Sequence, residues 1–367
     1  MRQKTSPVSS SYLITQSKQI TPRWLTEKLT GSGALSGGSV RSVKIEEWKA
    51  TNLSNLLRLS LTYTPNASSS APRNLIIKYT LPDTPKDQFA ILSKKEYDFY
   101  QRVAAEMNNP PVPRCYDMFY HPELGKLHIL MDDLSRSHMQ AKHPLPPTKD
   151  QSLANIITLA EFHAFWWNDS RLGKTIGKIY NDVRIQKRAR ILAAKLQEFM
   201  GELGDRLPQY RRNHLQRAMN FYANLMIQQR DGQVTLVHGD AHSWNFLNPI
   251  DPQTHRTILI DWEFWTIDSA TNDLAFMIAL GWYPDRRNEL EREMLQRYHE
   301  TLLAHGVQQY SWEDCWLSYR YSVIKRLFTP LLQWESGLPP RVWWHNLERA
   351  FMAFDDLRCE ELLPNEA

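Results

Sequence analysis

At 367 residues, with 42% hydrophobic and 23% charged side chains, the chain has the makeup of a globular protein long enough for two domains. Its formal charge of +4 is spread along the sequence, so nucleic acid is not expected as a partner, and the one basic run, Arg184-Ile185-Gln186-Lys187-Arg188-Ala189-Arg190, reads as the solvated face of a helix. Cys115, Cys315 and Cys359 lack metal-ligand spacing, and neither a secretory leader nor a run of about 18 apolar residues occurs, so the expectation is a reducing cytoplasm, no membrane span and no evident obligate protein partner.

Residues 1–19 are polar and aperiodic and are expected to form a mobile arm. Thr21-Pro22-Arg23-Trp24-Leu25 then reads as an N-cap, a proline at the first helical position and a short amphipathic helix to Leu29. A Gly-rich turn over 31–39 leads into the alternating Val40 to Ile45, and Leu53–Thr64 with Asn74–Tyr79 predicts a hairpin about a Pro/Asn/Ser-rich turn. A helical pattern over Phe89–Met107 stops before Pro110–Pro113, and Leu127–Met131 reads as a buried strand closed by Asp132-Asp133-Leu134. Residues 20–134 thus predict a small β-rich lobe. From 135 to 367 the character changes to helical patterns at about 151–168, 181–201, 208–230, 271–281, 286–305, 312–333 and 341–362, interrupted by strands only within 234–263. The expectation is an α+β chain of two lobes, with a cleft between them.

The interrupting stretch carries the chemistry. Leu236-Val237-His238-Gly239-Asp240 is followed by Asn245, and the apolar Thr257-Ile258-Leu259-Ile260 ends at Asp261. A carboxylate, a carboxamide and a second carboxylate in this order are what phosphoryl transfer from a nucleotide requires: one Asp to accept the proton of the attacking hydroxyl, then an Asn and an Asp to hold magnesium. Taken singly, each is as easily a turn residue or a strand-end cap. Gly37-Gly38 could let backbone N–H groups approach nucleotide phosphates, although a plain hairpin turn explains them nearly as well and Gly31-Ser32-Gly33 competes for the same role.

His238-Gly239-Asp240 with Asn245 five residues after the Asp resembles the catalytic loop of the aminoglycoside phosphotransferase and choline kinase superfamily, and within it the ecdysteroid-kinase-like group. The resemblance runs from roughly Trp24 to the C-terminal helices and implies a two-lobed protein-kinase-like fold, with ATP and magnesium as cofactors. It implies Asp240 as catalytic base and Asn245 and Asp261 as metal ligands. Asp261 stands in Ile260-Asp261-Trp262-Glu263, which departs from Asp-Phe-Gly and argues against protein-kinase-like switching of that segment. It also implies Lys78, at the end of Leu75-Ile76-Ile77, as the phosphate-binding lysine, with Glu96 as its helical partner and Asp98 as the competing candidate. Met131, Asp132 and Asp133 fall at the inter-lobe hinge, where backbone groups would meet the adenine edge, and Asp133 is also a candidate cap for the next segment. Asp273, in the Asp-Leu-Ala stretch, is expected to stabilise the catalytic loop or a helix start. His163 and His238 are read as structural.

The expected substrate is the hydroxyl of a small organic molecule. Nine of the 13 tryptophans follow residue 200. Most are expected in the core, and His242, Trp244 and Trp265 are candidates for pocket walls. Aromatic surface suits an apolar alcohol, and aromatics with Glu313, Asp314, Glu335, Asp355 and Asp356 suit an amino-sugar- or choline-like cation. The resemblance tilts toward the apolar alcohol. The rivals are a catalytically silent, kinase-like nucleotide-binding module and a metal-dependent hydrolase using Asp240, His242 and Asp261, which would leave Lys78 and Glu96 without a role.

Overall fold

The computed structural model describes residues 12–50, 54–83, 86–142 and 144–364, with the side chains of 47–50 and 86–89 outside the description. Helix α1 (Pro22–Gly31) precedes strands β1 (Val40–Ala50), β2 (Ser54–Tyr63) and β3 (Asn74–Thr80), followed by α2 (Lys86–Asp98). Strands β4 (Cys115–His121), β5 (Lys126–Asp132) and β6 (His138–Gln140) lead to α3 (Lys149–Phe165), α4 (Asp182–Leu203) and α5 (Gln209–Asp231). Four short strands follow, β7 (Thr235–Val237), β8 (Phe246–Pro249), β9 (Ile258–Leu259) and β10 (Thr266–Asp268). Helices α6 (Thr271–Met277), α7 (Pro284–Ala304), α8 (Trp312–Arg326), α9 (Thr329–Glu335) and α10 (Pro340–Asp356) complete the chain. The fold is α+β, and among the described residues no helix is long and apolar enough to cross a membrane.

Contacts divide the chain into two units. The first comprises 1–139 with 249–264, and the second 140–248 with 265–367. The division falls five residues beyond the expected change of character at 134, and the first unit regains a segment that sequence order would assign to the second. That return has a local cause: Ile250 N–H donates to Ser137 O (2.8 Å) and Leu259 N–H to Pro111 O (2.7 Å).

In the first unit five antiparallel strands run in the order β1-β2-β3-β5-β4. Leu57, Leu59 and Leu61 of β2 and Leu75, Ile77 and Tyr79 of β3 point to one buried face, as the two-residue period of a strand dictates. Helix α1 covers that face. Thr21 caps it by accepting from Trp24 N–H (3.2 Å), Pro22 sits where a missing N–H costs nothing, and Leu25 and Leu29, four residues apart, both point inward. Burying each leucine contributes roughly 1.5–3 kcal/mol.

Residues 12–19 differ from the mobile arm expected over 1–19. Leu13 and Ile14 are buried, and Ile14 N–H donates to His128 Nδ1 (3.2 Å), so apolar side chains too few to show periodicity still pin the segment to the sheet. Residues 1–11 lie outside the described residues. Strand β4 was not anticipated: only Tyr116 and His121 of its seven residues are buried, so this edge strand carries no alternating pattern.

In the second unit the predicted helix over 312–333 is two helices. Pro330 lacks the N–H for the bond to residue 326 and its ring crowds that carbonyl, so α8 ends at Arg326 and α9 restarts with the proline in its first turn. The pattern over 341–362 likewise stops at Asp356, after which Arg358 takes a left-handed φ of 51°. Trp166, Trp282, Tyr298, Tyr319, Phe199 and Phe351 are fully buried between these helices. Trp265 joins the interior as well, 6% exposed, its ring beside Gly177 where a Cβ would come within 3.3 Å of it. This corrects its expected place on a pocket wall: a large apolar ring gains more by leaving water than by lining an open surface.

Candidate active site

In the first unit the site is built around Lys78. The residue alternates away from the core face of β3, and its Nζ donates to both carboxylate oxygens of Glu96 (3.0 and 2.9 Å) and to Asp261 Oδ1 (2.8 Å). Glu96, on α2, is the carboxylate that meets Lys78, whereas Asp98 lies on another helix face and pairs with Lys94 one turn earlier. Burial by itself would lower the Lys78 pKa. The charges of Asp261, Glu96 and Glu263 overcome it, and the ammonium stays well above its ordinary value. Burial raises the Glu96 carboxyl above its usual range against the pull of Lys78, with Asp261 adding to the rise.

Asp261 holds a φ of 69°, in the left-handed region that Asp tolerates better than most residues. Its neighbour secures the bend: Trp262 stacks on Phe99 (3.9 Å between centroids, 9° between planes) and donates through Nε1 to Leu259 O (3.2 Å). The following 3₁₀ turn, Trp262–Phe264, brings Glu263 back beside Asp261. Carboxylate oxygens of Glu96, Asp261 and Glu263 lie within 4.8 Å of one another. Three hard oxygen donors suit magnesium better than a thiolate- or imidazole-seeking metal. Glu263 was not singled out from the sequence, although two carboxylates spaced across one residue in a tight turn were visible there.

The remaining first-unit candidates have other occupations. Gly37 and Gly38 take φ of 69° and 66°, and a Cβ on them would strike Asn66 O at 2.8 Å and Ala67 N at 2.6 Å. Their close approach on the Cβ side is therefore to the 64–68 turn of the same chain, where Ser39 N–H donates to Thr64 Oγ1 (2.9 Å). Asp132 accepts from Tyr116 Oη (2.5 Å), while Asp133 pairs with Arg58 Nε (2.8 Å) and accepts from Ser135 N–H (3.0 Å). The N–H groups of Asp132 and Asp133 donate to Arg114 O and Asn74 O, and Met131 stands in register with Ile76 on one side and Cys115 on the other within the sheet.

In the second unit β7 pairs antiparallel with β10, Val237 opposite Thr266, and releases the His238–Asn245 loop at its end. Buried Asp273 pins that loop: its carboxylate accepts from His238 N–H (2.6 Å) and Gly239 N–H (2.9 Å) and meets His163 Nε2 (3.2 Å). Burial pushes the Asp273 carboxyl up, but the hydrogen bond and charge of His163, with His238 and Gly239, hold it below its usual value. His163 in turn meets Tyr298 Oη through Nδ1 (2.7 Å), and His238 Nδ1 accepts from Asp240 N–H (3.3 Å), so both histidines are buried framework.

Asp240 O accepts from His242 N–H (2.8 Å) and from Asn245 Nδ2 (2.9 Å), which leaves Asn245 Oδ1 as the atom able to meet a cation. The Asp240 carboxylate is half-buried, its Oδ2 3.5 Å from His242 Nε2. His242 and Trp244 are also half-buried, with rings 5.4 Å apart, and so lie where a ligand could reach them.

Replacing Asp273 with Ala strips two backbone donors and an imidazole of a shared acceptor inside the protein. The loss should be about 3 kcal/mol of unfolding free energy. Urea titration reads it, and Asp273→Asn, which keeps one acceptor oxygen, should lose less.

Residues 50–308 match the model of the ecdysteroid kinase-like family. The chain belongs to that family. No curated protein sequence matches it. In structure, this ecdysteroid kinase-like chain is similar to a Ralstonia eutropha protein assigned to the aminoglycoside phosphotransferases, at TM-score 0.58 and 14% identity, over 93% of this chain and 98% of that one. It is also similar to an ethanolamine kinase of Plasmodium vivax (TM-score 0.54, 14% identity, 87% and 85% covered) and to aminoglycoside 2'-phosphotransferase-IIIa in complex with GDP (0.50, 12%, 92% and 98%). At these identities the likenesses establish the kinase-like fold of this family member, and the chemistry rests on its own residues.

Proposed function

We propose that this protein is an ATP- and magnesium-dependent phosphotransferase that moves the γ-phosphate to a hydroxyl of a small organic molecule. The observation that carries the reading is the Lys78 ammonium held at once by Glu96 and Asp261. A structural lysine needs one counter-ion. Two carboxylates that fix its position and charge make it a point cation for nucleotide phosphates, and positioning with electrostatics is most of what phosphoryl transfer asks of a protein. Asp240 would orient the acceptor hydroxyl and take its proton, while Asn245 Oδ1, Asp261 and Glu263 would hold magnesium. The metal, when bound, neutralises the phosphate oxygens as charge builds on them. The acceptor would be an apolar alcohol or an amino-sugar- or choline-like molecule.

The GDP complex of a structural neighbour supports nucleotide binding as the shared use of the fold. Among the described residues, the carboxylates close enough to share a metal, Glu96, Asp261 and Glu263, include no histidine, which favours phosphotransfer over the hydrolase reading. Three unpaired thiols fit a reducing compartment. The test is thermal unfolding with ATP or GTP, each with and without magnesium, followed by transfer of labelled phosphate to a panel of alcohols. The expected result is a magnesium-dependent rise in Tm with ATP and label on at least one alcohol. No stabilisation by either nucleotide would sink the reading, and stabilisation without transfer would support a silent binding module.

A further inference from the structure

Arg326 is a charged group that the reaction above leaves unused. Pro330 ends α8 at this residue, which leaves the guanidinium at the helix terminus. Its Nη2 donates to Asn272 Oδ1 (3.1 Å) and its carbon lies 5.2 Å from the centre of the Phe276 ring. Nε is buried without a hydrogen-bond partner, and among the described residues no carboxylate lies within ion-pairing distance. Lys325, one residue earlier, is the contrast: both oxygens of Asp268 clamp its Nζ at 2.9 and 2.8 Å. Burial lowers the Arg326 pKa, and Asp268, Asp273, Tyr222 and Asp240 act in the opposite direction.

The surroundings form an accessible face on an otherwise closed bed. Six of the seven residues of α6 are buried, and the exception is Phe276, under the guanidinium. The Phe276 ring lies 6.4 Å from His242, whose Nε2 is 3.5 Å from Asp240 Oδ2. Asp240, His242, Trp244, Phe276 and Arg326 are all half-buried. One continuous strip thus runs from the proposed base, across an imidazole and two aromatic rings, to an under-satisfied cation. A guanidinium withdrawn from water without a carboxylate keeps most of its desolvation cost, which an incoming oxyanion would relieve and an incoming ammonium would raise.

We propose that Arg326 is an acceptor-binding residue, and that the molecule phosphorylated by this protein carries a carboxylate, sulfate or phosphate group along with the hydroxyl presented to Asp240. This rests on the phosphotransferase reading and narrows it, since it removes amino-sugar- and choline-like cations from the acceptors. The aromatic rings contact the apolar body, Arg326 the oxyanion and Asp240 the hydroxyl.

The experiment uses two charge series of fixed skeleton: glycerate, glycerol and 3-(trimethylammonio)propane-1,2-diol as small probes, and cholate, its methyl ester and its trimethylammonium-propyl amide as bulky ones. Dissociation constants are read by tryptophan fluorescence for the wild type, R326Q and R326K, alongside that of Mg-ATP. The expected order in any series that binds is anion, then neutral, then cation, with an anion advantage of about tenfold or more. R326Q abolishes the advantage, and R326K, which keeps the charge but not the planar fork, restores part of it. Four results would overturn the proposal: a cation preference, an anion preference unchanged in R326Q, no binding in either series, or weakening of Mg-ATP in R326Q with the probes unaffected. The last would assign the guanidinium to nucleotide phosphates. Should R326Q fail to fold, R326K alone decides by the size of its anion advantage. The phosphotransferase reading fails separately, through the absence of Mg-ATP binding whatever the probes do.

Discussion

Asp240→Ala should lower kcat for phosphate transfer by about 10²- to 10⁴-fold, the range that a positioned general base contributes, while Mg-ATP still raises the Tm of the variant. The two readouts separate because the groups proposed to hold the nucleotide, Lys78 with Glu96, are anchored on Asp261. The loop should survive the substitution, since its anchor is Asp273 on the backbone of His238 and Gly239 rather than the Asp240 side chain. Asp240→Asn is the sharper variant. It keeps the size of the side chain and removes only its basicity, so a loss equal to that of the alanine variant assigns the effect to proton acceptance. Lys78→Ala should show the opposite pattern. It leaves Glu96 buried with no cation beside it, and burial already raises that carboxyl, so the site would take up a proton and lose its affinity for phosphates. Near wild-type turnover in Asp240→Ala would remove Asp240 from the mechanism.

The parts of this site legible in the sequence are those where chemistry and local pattern coincide. Asp240 and Asn245 stand five apart after an apolar strand, and Asp261 ends another, so order and spacing alone mark them. Lys78 and Glu96 were marked only through the family resemblance, since a single lysine on a strand reads by itself as an edge charge and Asp98 competed for the pairing. What the sequence could not supply is what tertiary contact decides. Gly37 and Gly38 look like a phosphate loop in one dimension, yet the 64–68 turn fills the space beside them. The hydrogen bonds of Asp132 and Asp133 are spent on Tyr116, Arg58 and the sheet edges, partners that lie on other strands or loops. Trp265 and Trp244 are indistinguishable by residue type, and only packing separates the interior ring from the half-buried one. Arg326 illustrates the converse: in the sequence Lys325-Arg326 falls inside one continuous helical pattern, and only the structure ends the helix there, clamps Lys325 with Asp268 and leaves Arg326 without a carboxylate at ion-pairing distance among the described residues.

Stability should fall as pH rises from about 4.5 to about 7, and Glu291→Gln should remove that part of the fall. Glu291, on α7, is buried; Tyr319 Oη donates to its Oε1 (2.6 Å), and Arg287 Nε stands 3.6 Å from its other oxygen. Burial pushes the carboxyl up to about 7, against the Tyr319 hydrogen bond and the Arg287 charge. Arg287 does not fully offset it because its guanidinium is shared, donating to Met352 O (3.2 Å) and to Asp356. An acid whose folded pKa lies above its unfolded value binds more protons in the native state, so its contribution is present below the unfolded pKa and is lost as pH climbs to the folded one. A displacement from 4.5 to about 7 corresponds to on the order of 3 kcal/mol. Gln cannot ionise but can still accept from Tyr319. Glu291→Gln should therefore match the wild type near pH 5 and exceed it by up to that amount near pH 8. Urea titrations at both values test this, and the quantity to compare is the difference between the two proteins. Glu96, also raised, contributes a slope of the same sign to both and cancels, while Asp273, held low, acts only in acid. Parallel pH profiles would show that the α7 carboxyl ionises without cost, and that Arg287 serves it rather than Asp356.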